Sequence, residues 1–152
     1  MISAEMIGYA DDTPNSQRLP QGFDFLFSDA AFTVSDNEYR GDFITVVADS
    51  SSADLAAALE TAGAAIRLPT IRLDVPDGLL GSDVISDLRR SDHAPFWAHG
   101  YPGIMLTDTA NFRNRAYHCI EGQDTVDRLD DGFTLAVLRA TVQAVATILD
   151  AP

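Results

Sequence analysis

Apolar residues along the chain fall into short runs and longer amphipathic segments, which predict alternating strands and helices. Residues 2–7 form a short apolar run interrupted by Glu5, and residues 43–47 form an apolar, β-branched run typical of a buried strand. Residues 71–75 alternate apolar and polar side chains as a half-buried strand does, and residues 102–106 form a fourth apolar run. Together with the intervening helices, this order predicts an α/β fold with a largely parallel, mixed sheet flanked by helices.

Three helices are predicted between and after these strands. Serines at 50–52 supply N-caps for a helix over residues 53–62, which Gly63 is expected to end. A short helix is expected over residues 91–99. The longest helix begins near residue 130, and its apolar residues are expected to form one core-facing stripe: Phe133, Val137, Leu138, Val142, Val145 and Leu149.

Residues 10–41 lie between the first two strands and are rich in Asp, Asn, Pro and Gly, with four phenylalanines among them. A connection of this length is uncommon in a compact domain and is usually functional. We therefore expect a long functional loop, for instance one that covers a substrate.

Length and charge limit the classes of function. The 152 residues fit a single domain, residues 1–152. All ten basic residues are arginines, and 23 acidic residues give a net charge of −13, which argues against nucleic acid or an anionic membrane as partner. The single cysteine, Cys119, excludes an intrachain disulfide. The sequence shows no leader peptide, so we expect a cytoplasmic protein, or a secreted one if the gene starts upstream.

Three blocks of residues carry a resemblance to a known family. They are Glu-Met-Ile-Gly-Tyr at 5–9, Ser-Asp-His-Ala-Pro-Phe-Trp at 91–97, and Asp-Thr-Ala-Asn-Phe-Arg-Asn-Arg-Ala-Tyr-His at 108–118, the last followed by Asp-Thr at 124–125. In this order they resemble the C-terminal half of the co-catalytic zinc aminopeptidases, a family that includes glutamate carboxypeptidase-type enzymes and glutaminyl cyclases. The chain departs from the family pattern at Cys119, where the family has threonine.

The resemblance implies two metal ligands in this chain. Glu5 would be the terminal carboxylate ligand of one zinc ion, and His118 would bind the other. Two other interpretations stay open. Glu5 would simply face water if its strand were an exposed edge, and a lone histidine near aromatic residues is most often a packed, hydrogen-bonded side chain.

The resemblance also implies roles at the reacting centre. Tyr117 would stabilise the oxyanion of a tetrahedral intermediate, and Asp92 would join a carboxylate hydrogen-bond network beside the metal, as in the glutaminyl cyclase branch. A guanidinium at the mouth of the site, on Arg113, would hold a substrate carboxylate. The alternatives are ordinary helix capping for Asp92 and solvated ion pairing for Arg113.

The chain holds only part of the family's catalytic set. In the family, a first His, a bridging Asp and an adjacent Glu-Glu pair lie upstream of the Glu-Met-Ile-Gly strand. The sequence contains neither a His-x-Asp nor a Glu-Glu motif. We therefore expect zinc to bind weakly or not at all to this chain alone, although two ions occupy the complete family site.

These observations lead to one expected function and two alternatives. The resemblance implies a zinc-dependent peptide hydrolase of aminopeptidase type, acting on a peptide or amino-acyl substrate. The alternatives are a non-catalytic remnant that binds or self-associates, and one half of a split enzyme whose upstream half-domain is another chain. Because half of an α/β domain leaves a sheet edge and an apolar helix surface uncovered, we also expect a homo-oligomer.

Overall fold

A computed structural model describes residues 1–150 and contains one four-stranded sheet. The strands are β1 (Ile2–Ala4), β2 (Ile44–Ala48), β3 (Thr70–Asp74) and β4 (Ile104–Thr107), in the spatial order β1-β4-β2-β3. β1 pairs parallel with β4 and β2 pairs parallel with β3, whereas β2 and β4 run antiparallel. The predicted α/β fold with a largely parallel, mixed sheet is confirmed.

Five α-helices accompany the sheet, with short 3₁₀ turns in the loops. They are α1 (Phe23–Leu26), α2 (Ser28–Asp36), α3 (Ala53–Ala65), α4 (His93–Ala98) and α5 (Asp131–Leu149). α3 and α5 pack together on one face of the sheet, and α1, α2 and α4 contribute to the core on the other face.

The central strand β2 is buried at every position because it lies between two apolar layers. Ile44 and Val46 belong to the layer shared with α3 and α5, whereas Val47 belongs to the opposite layer with Phe43 and Trp97. Successive side chains on a strand point to opposite faces, so one strand contributes to both cores.

The segment of residues 10–41 differs from the predicted long loop. It contains α1 and α2, and the rings of Phe23 and Phe27 lie 5.3 Å apart against the second core. The helical signal was weak because α2 buries only small side chains and one valine: Ala30, Ala31 and Val34. A substrate-covering role for this segment stays a prediction.

The ends of two elements differ from the predicted positions. β1 ends at Ala4 instead of extending to residue 7. α3 continues through Gly63 to Ala65. Gly63 does not end the helix but allows α3 to approach the strand β3 closely. A Cβ atom there would lie 2.6 Å from Thr70 Oγ1 on the neighbouring strand β3.

α5 begins where predicted but buries a different face. Asp130 caps it by accepting a hydrogen bond from the Phe133 amide at 2.8 Å. Its buried residues are Phe133, Val137, Ala140 and Ala144, and the small alanines face α3. Several residues predicted for the core are exposed instead: Leu138, Val142 and Leu149. By length and composition alone, α5 is long and apolar enough to cross a membrane.

The α3–α5 contact generates the first testable prediction. Ala144 is fully buried between these helices, so Ala144→Leu would overpack the contact and lower the free energy of unfolding by about 1–3 kcal/mol. Urea denaturation followed by circular dichroism measures this change. Ala146→Leu introduces the same side chain at an exposed position of the same helix and is the matched control. Equal stabilities of the two variants would contradict the packing described here.

Candidate functional site

The site lies where the neighbouring parallel strands β1 and β4 end. Parallel strands bring their carboxyl ends to the same edge of a sheet, and the loops that leave them are the usual place for binding sites in open α/β sheets. Glu5 follows β1 directly, and its backbone amide donates to the Leu106 carbonyl of β4 at 2.8 Å. Asp108 follows β4 in the same way.

Asp108 connects the loops that follow β1 and β4 through buried hydrogen bonds. Its side chain is 1% exposed, and Oδ2 accepts hydrogen bonds from the amides of Gly8 at 3.1 Å and Tyr9 at 2.8 Å. Oδ1 accepts from the Ala110 amide at 2.9 Å. Burial raises the pKa of Asp108, whereas the hydrogen bonds from Tyr9 and Ala110 and the charge of Arg113 act against this rise. The carboxylate therefore fixes the path of both loops.

Arg113 is buried, which corrects the expectation that it borders the mouth of the site. Its Nε donates to Gln17 Oε1 at 2.9 Å, and Nη1 and Nη2 donate to the carbonyls of Tyr9 at 3.1 Å and Phe43 at 2.8 Å. The guanidinium also lies 4.6 Å from the centre of the Phe43 ring. Burial lowers the pKa of Arg113 to about 10, and the charge of Asp108 opposes this shift.

The backbone near Gly41 makes room for this arginine. A Cβ atom at Gly41 would lie 2.7 Å from Arg113 Cδ, so only glycine leaves space for the side chain. Arg113 is 3% exposed and its Nε, Nη1 and Nη2 atoms each donate to a protein oxygen, so it organises the interior of the fold.

Glu5 is half-buried and held by hydroxyl groups. Ser91 Oγ donates to Glu5 Oε2 at 2.9 Å, and Ser3 Oγ lies 2.6 Å from Ser91 Oγ. Because the hydrogen of Ser91 is used towards Glu5, Ser3 donates its own to Ser91. The hydroxyl groups of Ser3 and Ser91, linked in series, therefore hold the Glu5 carboxylate in one orientation.

Glu5 and Tyr117 both line a cavity of about 80 Å³. It extends between the sheet and α2, where its lining is apolar: Phe23, Val34, Phe43, Val47, Ile71, Leu73 and Met105. Arg90 also lines it, with its guanidinium 5.8 Å from the centre of the Tyr117 ring and its Nη1 donating to Asn111 Oδ1 at 2.7 Å. The cavity therefore combines an apolar interior with a few polar groups, as small-molecule sites do.

His118 lies beside Tyr117 but does not line the cavity. Its ring is exposed and lies 4.1 Å from the ring of Tyr117, between centroids. His118 and Cys119 both have left-handed backbones, with φ of 55° and 61°. Such conformations cost about 1–3 kcal/mol each in residues other than glycine and are concentrated at functional sites.

Asp92 is exposed, stands just before α4 and makes no side-chain capping hydrogen bond. The contact with Glu5 comes from its neighbour Ser91. The next residue, His93, is fully buried, with Nε2 donating to the Leu88 carbonyl at 2.8 Å and its ring edge-on to Trp97 at 4.5 Å. Burial lowers the pKa of His93, and the charge of Asp92 is among the opposing influences.

The metal-binding side chains do not form a complete site by themselves. Within residues 1–150, no group of three or more His, Cys, Asp or Glu side chains is placed to hold a metal ion. A structural zinc site uses four protein ligands and a catalytic one uses three. The donors of the described chain therefore do not fit a zinc ion without ligands from elsewhere.

Comparison with known proteins finds a relative whose function is not described. The chain is 37% identical over 134 residues to the uncharacterized protein YfbL of Escherichia coli (strain K12). The aligned region covers 86% of this chain and 35% of YfbL, so the chain spans about a third of the length of that relative. No family model and no solved structure matches the chain.

Sequence reasoning missed the two residues that organise the site. Asp108 accepts a hydrogen bond from the amide two residues ahead, which is a common behaviour of Asp at a turn and was a usable signal. The sequence pattern places Ser91 only at the start of the short helix expected over residues 91–99. Its contact with Glu5 spans 86 positions, so no local pattern predicted it.

The Asp108 network generates the second prediction. Asp108→Asn leaves one oxygen for three amide donors and removes the opposite charge that acts most strongly on buried Arg113, so we expect a loss of about 2–3 kcal/mol in the free energy of unfolding. Urea denaturation at pH 7 measures it. Asp12→Asn, at an exposed carboxylate, is the control and should leave the unfolding midpoint unchanged. A loss no larger than that of the control would refute the role assigned to Asp108.

Proposed function

We propose that the chain supplies one part of the active site of a zinc-dependent peptide hydrolase of aminopeptidase type. The observation that supports this best is the shared cavity. Glu5, oriented by Ser91, and Tyr117 come from distant parts of the sequence and line the same space at the carboxyl ends of β1 and β4.

Glu5 is the residue best suited to bind a metal. Ser91 occupies Oε2, and within residues 1–150 no hydrogen-bond donor reaches Oε1. Ligating carboxylates are commonly hydrogen-bonded through their second oxygen, which fixes their orientation and tunes their basicity. Ser91, supported by Ser3, fits that positioning role.

Tyr117 is the residue best suited to stabilise negative charge on a substrate. Its ring is half-buried, and the guanidinium of Arg90 lies 5.8 Å from the ring centre. A phenol hydroxyl can donate a hydrogen bond to an oxyanion that develops during attack on a carbonyl. The apolar depth of the cavity would accept an apolar amino-acyl side chain.

The other residues implied by the resemblance contribute less directly to the proposal. His118 is exposed beside Tyr117, so it can reach a metal held partly by other polypeptide, and its ligand role remains a proposal. Asp92 is separated from Glu5 by its neighbour Ser91, and its part in a carboxylate network is likewise proposed. Arg113 contributes indirectly, because its guanidinium donates to the carbonyls of Tyr9 and Phe43 and so positions the backbone there.

The missing ligands and the general base would come from an upstream half-domain. YfbL has roughly two thirds of its length outside the aligned region, which is room for such a segment. Zinc would supply an activated water when all ligands are present. Because the described residues do not form its site, we assign no step to it here.

A second candidate function is a non-catalytic module that binds a small molecule or another protein. The apolar lining of the cavity, which includes Phe23, Val34 and Met105, favours it. The apolar cavity would then bind a ligand without hydrolysing it. Cytoplasmic localisation remains a proposal for both functions.

The third prediction concerns zinc binding by this chain alone. Because Glu5 and His118 offer one ligand each, we expect calorimetric titration with zinc to show binding weaker than micromolar, unchanged by His118→Ala. His99→Ala, at another exposed histidine, is the matched control. A stoichiometric, sub-micromolar site that His118→Ala abolishes and His99→Ala preserves would show that the chain completes a zinc site by itself.

The fourth prediction tests hydrolysis in a hybrid protein in which this chain replaces the aligned third of YfbL. We expect zinc-dependent cleavage of amino-acyl p-nitroanilides. Glu5→Gln should lower kcat/KM about 100-fold by removing a charged ligand. Tyr117→Phe should lower kcat about 100-fold with little change in KM, because it removes an oxyanion donor that acts only in the transition state.

Matched variants keep this test specific. Glu121→Gln and Tyr39→Phe make the same chemical changes outside the cavity and should leave the rate unchanged. If the hybrid and intact YfbL both bind amino-acyl compounds but cleave none, the non-catalytic alternative is correct. If Tyr39→Phe lowers kcat as much as Tyr117→Phe, the cavity is not the site of the reaction.

A further inference from the structure

α5 has a second apolar face that the fold leaves uncovered. Its members are spaced three, four, three and four residues apart, and each is between 37% and 77% exposed: Leu135, Leu138, Val142, Val145 and Leu149. At 3.6 residues per turn, this stripe lies on the side of the helix opposite to the buried residues that contact α3. We call these five residues the outer stripe.

The spacing of the outer stripe is that of a helix-pairing seam. Alternating steps of three and four keep apolar side chains in line over several turns, which is the a and d pattern of coiled coils. A helix that only covers a sheet needs one such face, and α5 already has it in Val137, Ala140 and Ala144. The outer stripe therefore fits a second helix.

The charge distribution favours a protein partner. The chain has 23 acidic residues, yet residues 132–149 contain none, and Arg139 is their one charged side chain. If this face stayed exposed to water, acidic residues on it would increase solubility, yet the face has none. A membrane-surface helix would instead need a polar face rich in Lys and Arg, and the corresponding face of α5 packs on α3.

We propose that the outer stripe binds the same stripe of a second copy of this chain, with the two α5 helices antiparallel. The stripe is nearly symmetric about Val142, with members seven and four residues before it and three and seven after it. A two-fold axis through Val142 therefore places apolar residues against apolar residues along the whole helix, as an isologous interface requires.

The helix dipoles favour the antiparallel orientation. The antiparallel arrangement places opposite ends of the two helix dipoles together. In an antiparallel pair about Val142 the two Arg139 side chains lie six positions apart along the axis, or about 9 Å, so their charges do not face each other.

The available area is sufficient for a reversible dimer. α5, with 19 residues, is about 28 Å long, α3, with 13 residues, is about 20 Å long, and each helix is about 10 Å wide. The face therefore covers about 480 Å² per copy, or about 960 Å² in total, which lies in the range of weak, transient interfaces. The α3 side adds an apolar border that includes Ala58, Ala65 and Ile66.

Sedimentation equilibrium of the full chain between 1 and 100 µM tests the proposal. We expect a monomer–dimer equilibrium, and Val142→Asp should raise the dissociation constant at least 10-fold because it places two charges on the two-fold axis. Val126→Asp changes the same side chain at an 81% exposed position outside α5 and should leave the equilibrium unchanged. Circular dichroism checks that both variants are folded.

Disulfide trapping in a Cys119→Ser background tests the orientation. Mixed Leu135→Cys and Leu149→Cys chains should form the heterodimeric disulfide, and Leu135→Cys alone should not form a disulfide dimer. A monomer at 100 µM would overturn the proposal, as would a dimer that Val142→Asp does not weaken. Flotation of the chain with phosphatidylcholine vesicles, lost in Val142→Asp, would identify a membrane as the occupant and overturn it too.

Discussion

The hydrogen bonds of two buried charged side chains, Asp108 and Arg113, are the constraint on which the site depends. Both groups lose most of their hydration, which raises the pKa of the acid and lowers that of the base. Each is stabilised by backbone groups and by the charge of the other, so removing one leaves the other poorly compensated. Their partners include the backbones at Tyr9, Ala110 and Phe43, so the hydrogen bonds of these two side chains fix three separate segments around the sheet edge.

The candidate site follows from that framework. With the loops after β1 and β4 held in place, Glu5 points to Ser91, and Tyr117 reaches the same cavity. The left-handed backbone at His118 lies beside this cavity and is supported by the surrounding turns. The arrangement brings an oriented carboxylate and a tyrosine to one cavity, and the proposed hydrolytic function rests on these two groups.

The two faces of α5 separate folding from association. One face uses small side chains, Ala140 and Ala144, to approach α3 and close the domain core. The other carries larger apolar side chains centred on Val142 that the fold does not bury. Substitutions on the first face should therefore act on stability, whereas those on the second should act on assembly.

The sequence by itself determined the α/β class, the approximate positions of the four strands and the start of α5, because periodicity and capping are local. It also pointed to Glu5 and Tyr117 through a resemblance. Only the tertiary structure decided that Arg113 is buried, that Ser91 holds Glu5 and that Val142 is exposed. These outcomes depend on contacts between segments far apart in the chain, and no local preference encodes which of two apolar faces a helix buries.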